Sequence, residues 1–287
     1  MELQDVQDTI TAFMADSGLN EVSPELAILP EYAGVRIYEE PLVGVAAADD
    51  ALFTGEFKRP EVIGPGFREP GLWVPGAKSV ISFFLPFTEA IRASNRTRTD
   101  EPYDPAITNQ HCSTLWLHGR IEGQHLMDEL CLYLCRVLQD AGFATVAPSC
   151  SPDFAMIRPF CSNWSERHVA FAAGLGTFGL SKGIITAKGM AGRLGSVVTT
   201  AELPATPRSY TSPFEYCTMC GACARRCPVG AIDPAKGCAL GKDQLLCGPY
   251  IKGSYLAPQG VRGIVRYGCG KCQVGVPCEH GIPRARH

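Results

Sequence analysis

The chain has 287 residues, 46% of them hydrophobic, 19% charged and 9% aromatic, and its formal net charge is −3. That composition can bury a core and excludes a disordered tail or a collagen-like repeat, and at roughly 150 residues per domain the length suggests about two domains. The strongest apolar run, Ser79–Phe87, falls far short of the roughly 18 residues that span a bilayer. The acidic start Met1–Asp8 carries no signal-peptide core, so a cytoplasmic protein without membrane contact is expected.

Leu3, Val6, Ile10, Phe13 and Met14 recur at helical spacing ahead of Gly18, which predicts an amphipathic first helix. Val80–Leu85, short, apolar and bounded by Gly76 and Pro86, reads as a buried strand; Arg92–Asp104 reads as a polar connection. From Asn109 to Ala141 there is no proline, and Leu117, Ile121, Leu130, Leu134, Val137 and Leu138 keep helical phase until Gly142, giving one long helix or two in line. Phe143–Ala147 reads as a strand, and Asn163 with Glu166 has the spacing of a capping box opening a helix over Ser165–Ala173. Ile184–Thr186 and Gly195–Thr200 flank the turn-rich stretch Lys188–Gly192 and read as a hairpin. Ala205–Pro213, with Pro207 and Pro213, reads as a linker. An α/β or α+β domain over 1–204 followed by a cysteine domain over 205–287 is therefore expected.

Of 14 cysteines, nine fall between Cys217 and Cys278; the others are Cys112, Cys131, Cys135, Cys150 and Cys161. Disulfides at such density belong to small exported chains, so metal or cluster ligation is favoured. Residues 205–287 carry 11 Lys+Arg against 4 Asp+Glu, about +7, which leaves 1–204 at about −10. A basic segment can attract nucleic acid. Two oxidised four-thiolate clusters would each add about −2, however, and offset more than half of that excess.

Cys217, Cys220, Cys223 and Cys227-Pro228 spell C-x2-C-x2-C-x3-C-P, the bacterial ferredoxin run. Three thiolates at three-residue intervals wrap one cube, and the fourth turns toward a second. Zinc sites also use C-x2-C, but as separated pairs rather than as a triple run. A second cluster needs ligands downstream, and Cys269, Cys272 and Cys278 supply three; Cys247 and Cys238 compete for the remaining place.

From about Asn163 onward the sequence resembles the epoxyqueuosine reductases and their relatives, the corrinoid reductive dehalogenases. The segment Ser165-Glu166-Arg167-His168-Val169-Ala170-Phe171-Ala172-Ala173-Gly174-Leu175-Gly176 is similar to that family's entry to its corrin pocket, and Tyr267-Gly268-Cys269-Gly270-Lys271-Cys272-Gln273 to its second cluster motif. The resemblance implies a nitroreductase-like corrin-binding core with a C-terminal ferredoxin-like domain holding two 4Fe–4S clusters. It puts Cys217, Cys220, Cys223 and Cys278 on one cluster and Cys227, Cys247, Cys269 and Cys272 on the other. Cys247 is preferred to Cys238 because Cys247-Gly248-Pro249-Tyr250-Ile251 resembles the family's Cys-x-x-Tyr-Leu segment. Three features depart from the family. The last spacing is Cys272-x5-Cys278 where x3 is usual; Phe160-Cys161-Ser162-Asn163 occupies the stretch that carries the family's acidic proton donor; and no helical repeats follow Cys278.

Gly174-Leu175-Gly176-Thr177-Phe178-Gly179 satisfies G-x-G-x-x-G, yet a dinucleotide loop follows a strand and leads to an acidic residue about 20 positions on. Here a helix precedes it and no acid lies between Ser181 and Ala201, so nicotinamide is not expected. The resemblance implies instead that Gly174, Leu175, Gly176, Thr177, Phe178 and Gly179, with Ser181, Arg193 and Ser196, meet a cobalamin; a plain tight turn is the competing reading. His168 is expected to be a core histidine, with cobalt ligation or proton donation as its alternative, and His118 and His125 are expected to be packing or solvated residues. Arg225 and Arg226 read either as docking charges or as neutralisers of cluster charge.

The expected function is a cobalamin-dependent iron–sulfur reductase fed by an external ferredoxin- or flavodoxin-type donor, acting on an unidentified small molecule rather than on tRNA. Two alternatives stand beside it: a two-cluster electron carrier without corrin, and a true tRNA epoxyqueuosine reductase.

Overall fold

The computed structural model describes residues 2–96, 112–253 and 263–284. The first helix, Leu3–Asp16, buries Val6, Ile10 and Met14 and stacks Phe13 on Tyr133, with ring centroids 4.8 Å apart. The single long helix is Thr114–Asp140, opened by Ser113, whose Oγ accepts from the Trp116 amide at 3.0 Å. The positions expected to open it at Asn109, and most of the polar connection expected over Arg92–Asp104, lie outside the described residues.

Four strands form the main sheet. Leu42–Ala47 pairs antiparallel with Ser79–Pro86, which pairs antiparallel with Gly192–Thr199, and the two-residue strand Thr145–Val146 closes the far edge. Ser79–Pro86 is buried along its whole length, as expected of a central strand covered on both faces. The sheet is antiparallel throughout, so of the two expected classes the core is α+β. One layer of core places the first and long helices against Val45, Ile81, Phe83 and Val197. A second layer gathers Phe53, Phe57, Phe67, Trp73 and Trp164.

Two local expectations are corrected. Ile184–Thr186 pairs with Gly176–Phe178 and not with the strand after it, because Gly192–Thr199 is taken into the main sheet. The capping box does not form, although the helix is present as Glu166–Ala172 behind Ser165. Asn163 spends its side chain on the Ala155 amide and the Asp153 carbonyl, and Glu166 accepts instead from Ser149 Oγ at 2.8 Å.

The stretch read as a linker is pinned to the core. The Thr206 amide donates to the Val45 carbonyl at 2.8 Å and its Oγ1 accepts from the Val45 amide at 2.9 Å, which ties the stretch to the edge strand, and the Tyr210 hydroxyl donates to the Phe171 carbonyl. The cysteine segment is fastened by buried ion pairs. Arg266 binds the Glu122 carboxylate on the long helix and the Leu26 carbonyl, and Glu279 joins Arg92 and Arg96. Among the described residues no helix is long and apolar enough to cross a membrane.

Candidate functional site

The chain Phe214–Cys217 turns into a loop in which Met219 and Gly221 both have positive φ, 52° and 67°, and the short helix Ala222–Arg225 follows. This left-handed turning folds the three-residue spacing inward, so Cys217, Cys220, Cys223 and the distant Cys278 line one cavity. Cys227, Cys247, Cys269 and Cys272 line a second. Cys247 reaches it from the helix Gln244–Gly253, whereas Cys238 packs beside the first cavity with its Sγ 3.2 Å from Met219 Sδ. The thiols stand round a space: among the described residues no three His, Cys, Asp or Glu side chains are placed to hold a single metal ion.

The two cavities differ in charge. Arg120, Arg193 and Lys242 line the second, and among the described residues no cation lines the first. Burial, aided by neighbouring thiols, pushes Cys223 up to about 11 and Cys278 up to about 12, and burial pushes Cys269 up to about 12. Without a metal these thiols keep their protons, and coordinated iron would remove them. A backbone donor is already aimed at one sulfur, from the Ala231 amide to Cys227 Sγ at 3.2 Å.

A larger cavity of about 970 Å³ opens beside both. Its walls come from the segment Asp50–Ile63, from Arg158–Ser162, from the helix Glu166–Ala172, from Phe178 and Lys182, and from Phe214 and Leu240 in the cysteine segment. Phe57, Phe171, Phe178 and Phe214 supply flat apolar surface. His168 lies at the wall between Phe57 and Phe178, ring centroids 5.2 and 4.8 Å away, with Nδ1 bonded to Ser165 Oγ at 2.8 Å. Burial, and then the charges of Arg167 and Lys182, push it down to about 3, so it is neutral at physiological pH. Cavities of this size, apolar with a few polar groups, are the usual form of a ligand site.

The residues expected to meet a corrin do not gather. Phe178 lines the large cavity, Gly179 and Ser181 line the first cysteine cavity, and Arg193 lines the second. Gly174 takes φ +79° against Thr206 and Pro207, and a side chain on Gly176 would stand 2.0 Å from the Ile185 carbonyl across the small hairpin. Leu175 belongs to a small core with Phe84 and Ala170, Thr177 Oγ1 accepts from the Tyr216 amide, and Ser196 Oγ accepts from the Trp164 indole. The glycines have packing reasons of their own.

Sequence reasoning did not single out Arg167, Lys182, Lys242 or Cys161 as site residues, yet all four line the large cavity. Arg167 lies in the segment that resembles the corrin-pocket entry and Lys182 follows Ser181, but only folding brings them together. His118 is a satisfied core residue: Nε2 accepts from the Ile28 amide at 3.1 Å, leaving Nδ1 to donate to Glu122. His125 is exposed. Arg226 ties the Lys271 and Arg96 carbonyls together, and Arg225 is exposed.

Residues 213–233 match the 4Fe-4S binding domain family, a span that holds Cys217, Cys220, Cys223 and Cys227. No curated protein matches the chain in sequence. Among solved structures, the epoxyqueuosine reductase from Streptococcus thermophilus superposes with a TM-score of 0.50 at 14% identity, over 99% of this chain and 68% of that one. The catabolic reductive dehalogenase NpRdhA superposes with a TM-score of 0.55 at 13% identity, over 84% of this chain and 30% of that one. The chain therefore shares its fold with epoxyqueuosine reductases and reductive dehalogenases.

Proposed function

We propose, from that shared fold and from the cavities, that the protein is a cytoplasmic iron–sulfur reductase carrying two 4Fe–4S clusters beside a corrinoid. The observation that carries this reading is the division of eight cysteines, four and four, around two cavities that adjoin a third large enough for a tetrapyrrole. The donor set fits iron–sulfur chemistry, since a cube asks for four thiolates around a space. The aromatic walls and the volume of the large cavity fit a flat macrocycle. A corrinoid held there would supply a strongly reducing, nucleophilic cobalt, and the protein's part is to bind, orient and exclude water.

Within this reading Cys217, Cys220, Cys223 and Cys278 hold one cluster, and Cys227, Cys247, Cys269 and Cys272 hold the other. Phe57, Phe171, Phe178 and Phe214 hold the macrocycle faces and keep water away. Neutral His168, with Nδ1 held by Ser165, supplies a polar edge without a positive charge. Cys220 and Arg225 reach the surface beside the first cavity, a place where a ferredoxin- or flavodoxin-type donor of acidic surface can dock.

The test is retention of colour. Protein prepared without oxygen and mixed with hydroxocobalamin should leave gel filtration with about one corrin per chain. Only the broad cluster absorbance after the column would make it a two-cluster electron carrier instead.

A further inference from the structure

Among the described residues five cations line the large cavity, and three of them, Arg167, Lys182 and Lys242, act on one another's charge around Lys182. Arg167 Nη1 donates to the Lys182 carbonyl at 2.7 Å, and Lys182 Nζ donates to the Ala239 carbonyl. Lys242 has no hydrogen bond or ion pair among the described residues. The acids of the cavity are committed elsewhere, Asp50 to Arg208 and both Glu56 and Glu61 to Arg59. The three cations are half-buried beside like charges, which is costly, and although Lys242 also faces Cys272 in the second cysteine cavity, no carboxylate pairs with any of them among the described residues. Burial, the Arg167 charge and the Lys242 charge all press Lys182 toward its neutral form. Lys182 is also held at φ 64°, a left-handed backbone that ordinary residues rarely adopt.

We propose that Arg167, Lys182 and Lys242 form an anion subsite in the wall of the large cavity, taking a phosphate or carboxylate group. Two bonds to backbone carbonyls leave the guanidinium and both ammonium groups with donors to spare, and guanidinium and ammonium groups are the usual holders of such oxygens. The anion has two sources of the same chemistry: the phosphodiester of a corrinoid's nucleotide tail, or an acidic group on the molecule to be reduced. The subsite stands on the cavity alone, and only the assignment to a corrinoid tail rests on the function proposed above.

Calorimetric titration of the cluster-loaded full chain with inorganic phosphate, at ionic strength matched with chloride, tests it. Wild type should show saturable binding, weakened at least tenfold in Lys242→Gln and in Arg167→Gln and unchanged in Arg136→Gln, an exposed residue of the long helix that lines none of the three cavities. Asn tolerates positive φ, so Lys182→Asn gives a third variant, and full iron content certifies that each variant is folded. No saturable binding in wild type, or equal binding in the folded variants, overturns the proposal. Hydroxocobalamin and the nucleotide-free dicyanocobinamide then separate the sources. A loss confined to hydroxocobalamin assigns the anion to the tail, and unchanged binding of both corrinoids assigns it to the substrate. Phosphate binding that survives when neither corrinoid binds supports the subsite and counts against the corrinoid reading, so the two ideas fail separately.

Discussion

Glu166 shows how burial sets a charge state. Its carboxyl lies under Ser149, and burial pushes its pKa from 4.5 up to about 7. Between those two values the unfolded chain has released the proton and the folded chain still holds it. Stability therefore falls as pH rises from 4.5 through 7 and levels off above. Glu166→Gln cannot ionise and keeps an acceptor for Ser149. Its advantage over wild type in anaerobic urea unfolding should grow by about 2 kcal/mol from pH 5.5 to pH 8. A gap that stays constant across that range would show that the carboxylate is solvated in the fold. At the same scale, Cys247→Ser should lose the iron of one cluster and Cys238→Ser should keep both, because a serine hydroxyl is a poor iron ligand at neutral pH. The reverse pattern in iron content would move the ligand to Cys238.

At the scale of elements, the second cysteine motif is seated by a glycine. Gly270 has φ +70°, and a Cβ there would stand 2.1 Å from the Trp116 indole of the long helix. Gly270→Ala combines left-handed strain with overpacking and should cost about 2–4 kcal/mol, releasing the second cluster while the first survives. Half the iron with a lowered melting temperature is the expected reading; full iron with unchanged melting contradicts it. Charge separates the two sites as well. Arg120 stands at the second cavity with its guanidinium 4.7 Å above the Tyr267 ring, and positive charge favours the reduced cluster. Arg120→Gln should lower the potential of that cluster in an EPR-monitored redox titration and leave the other unmoved, whereas equal shifts in both would remove the asymmetry.

What could be read from the residues alone divides along the same line. The first helix, the long helix and the central strand were legible because each is written as a local apolar period. The cysteine run was legible because ligand spacing on a tight loop is itself local. The hairpin was misread because Gly192–Thr199 could pair with either neighbour, and the buried face of Ser79–Pro86 decided the choice. The packing of the glycine loop was not legible, because the Ile185 carbonyl and Pro207 that Gly176 and Gly174 approach come from elsewhere in the fold.

Across the whole molecule, the charge division between a basic cysteine segment and an acidic remainder takes on a spatial meaning. Arg226, Arg266 and Lys271 of the basic segment are spent inside the protein, on carbonyls and on Glu122, rather than offered to an external polyanion. The large cavity was not legible, since its wall is assembled from segments more than 100 residues apart. Phe160, Cys161 and Ser162 stand at that wall, and by the resemblance drawn from the sequence this is the stretch where epoxyqueuosine reductases are expected to carry an acid. If no other acid of the cavity takes that place, losing a general acid commonly costs a factor of about 10² to 10⁴. With chemical reductant, cobalamin and epoxyqueuosine-containing tRNA, the protein should accordingly form no queuosine at an enzyme-like rate. Robust conversion would make it a tRNA epoxyqueuosine reductase.

The division of eight cysteines between two four-thiolate sites is tested by iron and acid-labile sulfide measured per chain after anaerobic reconstitution. About eight irons and eight sulfides are expected, as two cubes require. Four irons after full reconstitution, or stoichiometric zinc in their place, would contradict it.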